Sequence, residues 1–125
     1  MSRPSRSLVC SSLLVSISLF LGLPSIAGKI VSHKEAKDHI GEYLTVEGLI
    51  ASVYTSGKGN TFLNFGAPYA NQTFTAVVFS SASSRFMGLH NWEGRRVRVT
   101  GLVKLYKGRP EIILERPTQL VSAAP

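Results

Sequence analysis

The sequence predicts an all-β domain with one or two short helices: a five-stranded Greek-key barrel with a helix between its third and fourth strands. From Tyr43 onward, alternating or β-branched apolar runs are separated by turns rich in Gly, Asn and Pro, which is typical of short strands. The two longest runs each contain a central glycine, Gly48 and Gly101, and such a glycine lets a strand bend. One stretch with helical spacing, 80–92, falls between the third and fourth runs.

Length and composition limit the domain count and the class of protein. With 125 residues, 44% hydrophobic and 17% charged, the chain fits one globular domain. Its single cysteine, Cys10, excludes an intrachain disulfide framework and a multi-cysteine zinc site. Its single aspartate, Asp38, argues against an acid-lined metal site. The formal net charge of +7 favours a polyanionic partner.

Residues 1–27 have the three parts of a secretory signal peptide. Arg3 and Arg6 form a positive start, residues 8–23 form an apolar stretch, and residues 25–27 offer the small side chains that a signal peptidase reads. The apolar stretch is shorter than the roughly 20 residues that a membrane span needs, and serines interrupt it. We therefore expect cleavage after residue 27, export to the periplasm or the extracellular space, and no membrane span in the mature chain. An uncleaved membrane anchor is the alternative.

The predicted N-terminal extension, 28–42, contains a short helix. Ser32 and Glu35 have the spacing of a capping box, and Gly41 is typical of the residue that follows a helix. The helix should therefore begin after Ser32 and end near Ile40.

The predicted barrel domain, 43–120, contains five strands. Each is rich in β-branched, aromatic or alternating apolar residues and is bounded by turn-forming residues. Residues 121–125 are expected to form a flexible tail. The five predicted strands are 43–55, 61–66, 73–79, 95–105 and 111–115.

This order of elements is that of the OB fold, a five-stranded Greek-key barrel. The two long strands with central glycines, 43–55 and 95–105, fit the strands of that fold that bend to serve two sheets. Another small barrel, such as an SH3-like one, is the alternative, and the position of the helix argues against it.

Three segments resemble the OB domains of the tRNA/helicase (anticodon-binding) type. The segment GRRVRVTG at 94–101 resembles their fourth-strand signature, and KLYKGRPEII at 104–113 resembles their last hairpin and fifth strand. The segment TFLNF at 61–65 resembles their second strand, in which an aromatic side chain faces the ligand. The resemblance spans 43–120 and is closer still to small exported bacterial proteins with a single OB domain. It implies a nucleic-acid-binding function.

OB barrels bind their ligands along the second and third strands and the two loops that flank them. In this chain both loops are basic and contain or adjoin a tyrosine. The period of two in a strand places Phe62 and Asn64 on the ligand face and Leu63 and Phe65 in the core. Aromatic side chains among lysines and arginines are typical of single-strand binders, because bases stack on the rings and cations hold the phosphates. The predicted nucleic-acid-binding residues are Tyr54, Lys58, Phe62, Asn64, Arg98, Lys104, Tyr106, Lys107 and Arg109.

Several of these residues have a purely structural alternative. Phe62 and Tyr106 are also compatible with ordinary packing inside the domain. Arg98 alternates with valines in the fourth strand, and such charged rows often serve solubility and protect a sheet from edge pairing.

The sequence contains no pattern of catalytic, metal-binding or cofactor-binding residues. His33, His39 and His90 lack ligand spacing, and the serines at 80–84 lack a nearby acid and a nucleophile-elbow pattern. The sequence therefore predicts a non-enzymatic protein, without a cofactor, that binds single-stranded DNA or RNA outside the cytoplasm with weak sequence preference. The alternatives are an exported module that binds a protein, peptide or small ligand, and an accessory subunit of an exported enzyme.

Overall fold

The structure is a computed structural model that describes residues 28–123. The predicted signal peptide, 1–27, and the last residues of the predicted tail, 124–125, lie outside the described residues. The described domain is all-β, as predicted, with eight strands and four short 3-10 helices. No helix in it is long and apolar enough to cross a membrane. The strands are β1 (Ile30–Ser32), β2 (Tyr43–Thr55), β3 (Thr61–Phe65), β4 (Phe74–Val78), β5 (Arg96–Leu102), β6 (Lys104–Tyr106), β7 (Arg109–Ile113) and β8 (Leu120–Ser122).

The eight strands form one hydrogen-bonded sheet. Its order is β6-β7-β4-β3-β2-β5-β8, and β1 adds to β2 in parallel. The long strand β2 takes part twice, because its first half pairs with β5 and its second half with β3. A register shift between Ile50 and Ser52 separates the two halves. Since a bulge bends a strand, the two halves present their outward side chains to different sides of the domain.

The bend in β2 lies beyond the glycine at which the sequence predicts it. Gly48 pairs with Val97 in regular register, and the shift comes after Ile50. Gly48 is required by packing and not by the bend. The His33 ring lies against it, and a Cβ at this position would come within 2.9 Å of the ring Cγ.

The predicted count of five strands is too low, chiefly because the fourth predicted strand, 95–105, is two strands. Val103 interrupts it by donating from its N–H to the Glu42 carbonyl at 2.9 Å and accepting from the Gly41 N–H at 2.8 Å. The part before Val103 is β5, which pairs with β2, and the part after it is β6, which pairs with β7. The three-residue strands β1 and β8 account for the remaining difference.

The core lies between the inward faces of these strands. On β2 the inward residues Leu44, Val46 and Ile50 alternate with more exposed ones. Leu63 and Phe65 are fully buried, as the period of two on β3 predicts. Phe65 packs edge-on against Phe74 at a centroid distance of 5.1 Å, a geometry that favours aromatic pairs.

Both predicted helices are 3-10 segments in the structure. The helix predicted at 80–92 is two of them, Ser80–Arg85 and Leu89–Trp92, and Gly88 precedes the second in the left-handed region with φ of 63°. The N-terminal helix is the single turn Ala36–Asp38. The expected capping box is half formed: the Ser32 N–H donates to the Glu35 side chain at 3.4 Å, but the Ser32 hydroxyl accepts from the N–H of Lys34. A further 3-10 turn covers Pro117–Gln119.

The start of the predicted tail differs from the structure. Val121 and Ser122 belong to β8 and pair with Arg98 and Val97 of β5. The N–H of the next residue, Ala123, donates to the Arg96 carbonyl at 3.0 Å. Three residues are too few for an alternating pattern to indicate a strand.

Candidate nucleic-acid interface

A groove with a volume of about 770 Å³ runs along the outward face of β3. The second half of β2 lies on one side of it, the β6–β7 hairpin on the other, and the loop between β3 and β4 contributes a third wall. Six of the nine predicted binding residues line this groove: Tyr54, Phe62, Asn64, Tyr106, Lys107 and Arg109.

Two aromatic side chains form one wall of the groove because of strand register. Tyr54 on β2 and Phe62 on β3 are direct cross-strand partners, and such neighbours interact closely. Their rings lie 6.3 Å apart at 21°, close to parallel. Tyr54 is 58% exposed, so this pair presents an aromatic surface to solvent.

The β6–β7 hairpin provides a third aromatic ring and a cation. Tyr106 is exposed, and the Lys107 ammonium lies 5.3 Å from the centre of its ring, within cation–π distance. Lys107 and Gly108 both have positive φ, 50° and 80°, as the central residues of a tight type I′ hairpin turn do. The turn therefore places the Lys107 side chain beside the groove.

The floor of the groove is a row of hydrogen-bonded polar side chains. Asn64 is 2% exposed; its amide donates to the Ser52 hydroxyl at 3.2 Å and its carbonyl accepts from Thr75 at 3.3 Å. Gln72 donates to Thr75 at 3.5 Å and accepts from Arg109 at 2.8 Å. Buried polar groups are costly unless paired, so this row fixes the groove floor.

Arg109 and Glu111 determine much of the charge in the groove. The Arg109 guanidinium binds both the backbone and the side-chain carbonyl of Gln72, at 3.3 and 2.8 Å. Glu111 also lines the groove, and burial raises the pKa of its carboxyl while the neighbouring Lys104 opposes the rise. The groove thus combines two cations, Lys107 and Arg109, with one partly desolvated acid.

Three predicted binding residues lie outside the groove. Lys58 is exposed in the turn between β2 and β3, and Lys104 is exposed on β6 beside Glu111. Arg98 is bound to Glu47, with Nε 3.2 Å from the carboxylate. Arg98 is separated from the groove because β5 pairs with the half of β2 that precedes the bend.

The structure adds groove residues that the sequence did not predict. Ser52 precedes Tyr54 by two positions and Glu111 follows Arg109 by two, so the period of a strand places each pair on one face. That signal was available in the sequence. Tyr69, which is 79% exposed in the β3–β4 loop, has no periodicity that would have indicated its position.

The histidines have structural partners. His33 bonds to Thr73 at 2.6 Å, His39 to Glu42 at 3.1 Å, and His90 to Thr55 at 3.0 Å. Within residues 28–123, no three His, Cys, Asp or Glu side chains lie close enough to hold a metal ion together.

Comparison with known proteins gives a likeness of fold. No protein-family model and no curated protein sequence matches the chain. Among solved structures, it is similar to an aspartyl-tRNA synthetase from Entamoeba histolytica, with a TM-score of 0.53 and 16% identity over 81% of this chain and 23% of that one. A chain assigned as an aspartyl-tRNA synthetase of Leishmania major Friedlin is similar with a TM-score of 0.50 and 9% identity, over 81% and 22% of the two chains. This chain therefore spans less than a quarter of either synthetase, and at these identities the likeness shows a shared fold.

Proposed function

We propose that the domain is an OB barrel that binds single-stranded nucleic acid in the groove, without catalysing a reaction. The synthetases that share its fold are named for a tRNA substrate, which supports a nucleic-acid ligand. Five segments of the chain would make up the barrel: β2, β3, β4, β7 and the continuous segment of β5 and β6. That last segment pairs with β2 through β5 and with β7 through β6, which supports a closed barrel.

The aromatic wall is the observation that carries the proposal. Tyr54 and Phe62 present nearly parallel rings, and Tyr106 stands on the opposite hairpin. Stacking between a base and an aromatic ring contributes about 1–3 kcal/mol per base and tolerates any sequence. A duplex hides the faces of its bases, so this wall favours a single strand.

The cations of the groove suit phosphates but are few. Lys107 has no acidic neighbour in the described ion pairs, and Arg109 uses part of its guanidinium to hold Gln72. Single-strand binding weakens with salt by a log–log slope of about −0.7 for each phosphate neutralised. We therefore expect a slope between about −0.7 and −1.4.

We further propose that the protein acts outside the cytoplasm of a bacterium, after removal of residues 1–27. The support is the order of charged, apolar and small residues in that segment.

Titration of the protein with a short fluorescein-labelled oligothymidylate at low salt tests the proposal. Phe62→Ala should weaken binding by about 5- to 150-fold, the equivalent of one stacked base. The matched control is Tyr43→Ala, which removes an exposed aromatic side chain from the first half of β2, away from the groove. Failure of the unaltered protein to bind any single strand, or an equal loss in both variants, would contradict the proposal.

A peptide or small cationic ligand is the second candidate, and Glu111 is the observation that favours it. This carboxylate lines the groove and would repel a phosphate but attract an amine. Glu111→Gln separates the two: it should strengthen the binding of an oligonucleotide, whereas it should weaken the binding of a lysine-containing peptide. Weaker binding of the peptide in Glu111→Gln would also favour a protein partner, including an exported enzyme that this chain assists.

A further inference from the structure

The loop between β3 and β4 forms one wall of the groove. Tyr69 and Gln72 reach into the groove from it. Inside the loop, the Asn71 N–H donates to the Pro68 carbonyl at 2.9 Å. On the groove side, Arg109 holds Gln72. On its other side, the loop contacts a residue of the N-terminal extension.

His33 provides that second attachment. It follows β1 directly, and its ring lies over two glycines, Gly48 on β2 and Gly66 at the start of the loop. A Cβ on Gly66 would lie 3.0 Å from the ring Cε1, in a residue whose φ of 84° already disfavours a side chain. The ring also tilts against Phe65 at 6.4 Å. The space left by the two glycines is therefore occupied by this imidazole.

A short hydrogen bond joins His33 to the loop. His33 Nδ1 lies 2.6 Å from the Thr73 hydroxyl, and either atom can be the donor, depending on the tautomer of the ring. The same hydroxyl lies 3.3 Å from the Phe65 carbonyl. Burial lowers the pKa of His33, and the charges of Lys34 and Arg96 lower it further, which favours the neutral ring near neutral pH.

We propose that His33 is a positioning residue of the groove: it fixes the loop 66–73 through Thr73 and thereby holds Tyr69 and Gln72 in place for the ligand. The inference rests on the proposed function for its effect on binding. The claim that His33 fixes the conformation of the loop does not depend on any ligand. It also makes the extension 28–42 part of the binding domain, although the sequence places that extension outside the barrel.

Three variants separate the hydrogen bond from simple packing. His33→Ala removes the ring and its hydrogen bond. His33→Asn keeps an amide that can donate or accept near the position of Nδ1, and Thr73→Val removes the hydroxyl partner at nearly constant shape. The matched control is His39→Ala, which deletes a histidine of the same extension that bonds to Glu42 and does not line the groove.

The first measurement is hydrogen–deuterium exchange of the free protein. The N–H groups of Asn71 and Thr73 are hydrogen-bonded within this part of the chain and should exchange faster in His33→Ala and Thr73→Val. Exchange should stay near that of the unaltered protein in His33→Asn and His39→Ala. Unchanged exchange in both His33→Ala and Thr73→Val would overturn the inference.

The second measurement is affinity for the labelled oligothymidylate. His33→Ala and Thr73→Val should each weaken binding by about 2- to 10-fold, the effect of one net hydrogen bond, and the double variant should be no weaker than the worse single one. The salt slope should not change, because neutral His33 contributes no charge. Recovery of affinity in His33→Asn supports positioning through the hydrogen bond.

The outcomes distinguish this inference from the proposed function. If the unaltered protein binds no oligonucleotide, the proposed function fails while faster loop exchange in His33→Ala still supports the attachment. If the protein binds and the loop loosens without any loss of affinity, the positioning role is overturned. A loss of affinity without faster exchange of Asn71 and Thr73 also overturns it, because His33 would then act by another route.

Discussion

Gly101 gives the sharpest test of how β5 packs against β7. It sits on β5, and a Cβ added there would lie 2.6 Å from Ile112 Cγ2 on β7 and 3.2 Å from Gln119 Nε2. Ile112 is fully buried. The Gln119 amide is held by the carbonyls of Thr100 at 2.9 Å and Ile113 at 3.3 Å. Because neither neighbour can withdraw freely, Gly101→Ala forces the two strands apart.

Overpacking of this kind costs about 1–3 kcal/mol, and each kcal/mol lowers the Tm of a domain this size by about 4–8 °C. The assay is urea denaturation of Gly101→Ala beside Gly57→Ala. Gly57 has no positive φ and no atom within 4 Å of an added Cβ, so its variant should stay within about 0.5 kcal/mol of the unaltered protein.

A double variant attributes the cost to the contact itself. Ile112→Ala removes the atom that an alanine at 101 would meet, so the cost of Gly101→Ala should shrink in that background. Equal midpoints for Gly101→Ala and Gly57→Ala would refute the reasoning, and so would strictly additive effects of the changes at 101 and 112.

Three further predictions concern processing, the glycine of β2 and the acid of the groove. The exported protein should begin at Gly28, which N-terminal sequencing of an envelope fraction checks; intact Met1 in a membrane pellet would indicate an anchor instead. Gly48→Ala should destabilise the fold by about 1–3 kcal/mol in the same urea assay, because the added methyl displaces the His33 ring; an unchanged midpoint would contradict the contact. The pKa of Glu111 is raised above its ordinary 4.5, so its neutral form favours folding and stability should fall as the pH rises through the raised pKa. Glu111→Gln should remove the part of the decline in Tm that sets in as the pH rises above 4.5. Identical pH profiles for the variant and the unaltered protein would contradict the desolvation.

The sequence predicts those groove residues whose position depends on strand periodicity. Phe62 and Asn64 face the groove while Leu63 and Phe65 are buried, because a strand alternates its side chains without help from the rest of the fold. Tyr106 lies in the groove for a related reason, since it adjoins a two-residue turn.

Features that depend on tertiary contacts were not predictable in the same way. The break at Val103 arises from hydrogen bonds to Gly41 and Glu42, some 60 positions away in the chain, and no local pattern signals it. The sequence predicts Arg98 as a binding residue because its strand would adjoin the ligand face in an OB fold. The bend after Ile50 turns that part of β2 and β5 away, and Arg98 pairs with Glu47 instead.

The most direct test of the groove as the binding site compares two lysines in two hairpin turns. Lys107 lines the groove, whereas Lys58 is exposed in the β2–β3 turn and does not. Lys107→Gln and Lys58→Gln each remove one positive charge, so their net charges are identical. The measurement is the salt dependence of affinity for the labelled oligothymidylate. Binding in the groove predicts that the log–log slope becomes shallower by about 0.7 in Lys107→Gln and stays unchanged in Lys58→Gln. Equal changes in both variants would mean that the oligonucleotide senses only a cationic surface, which would contradict a site in the groove.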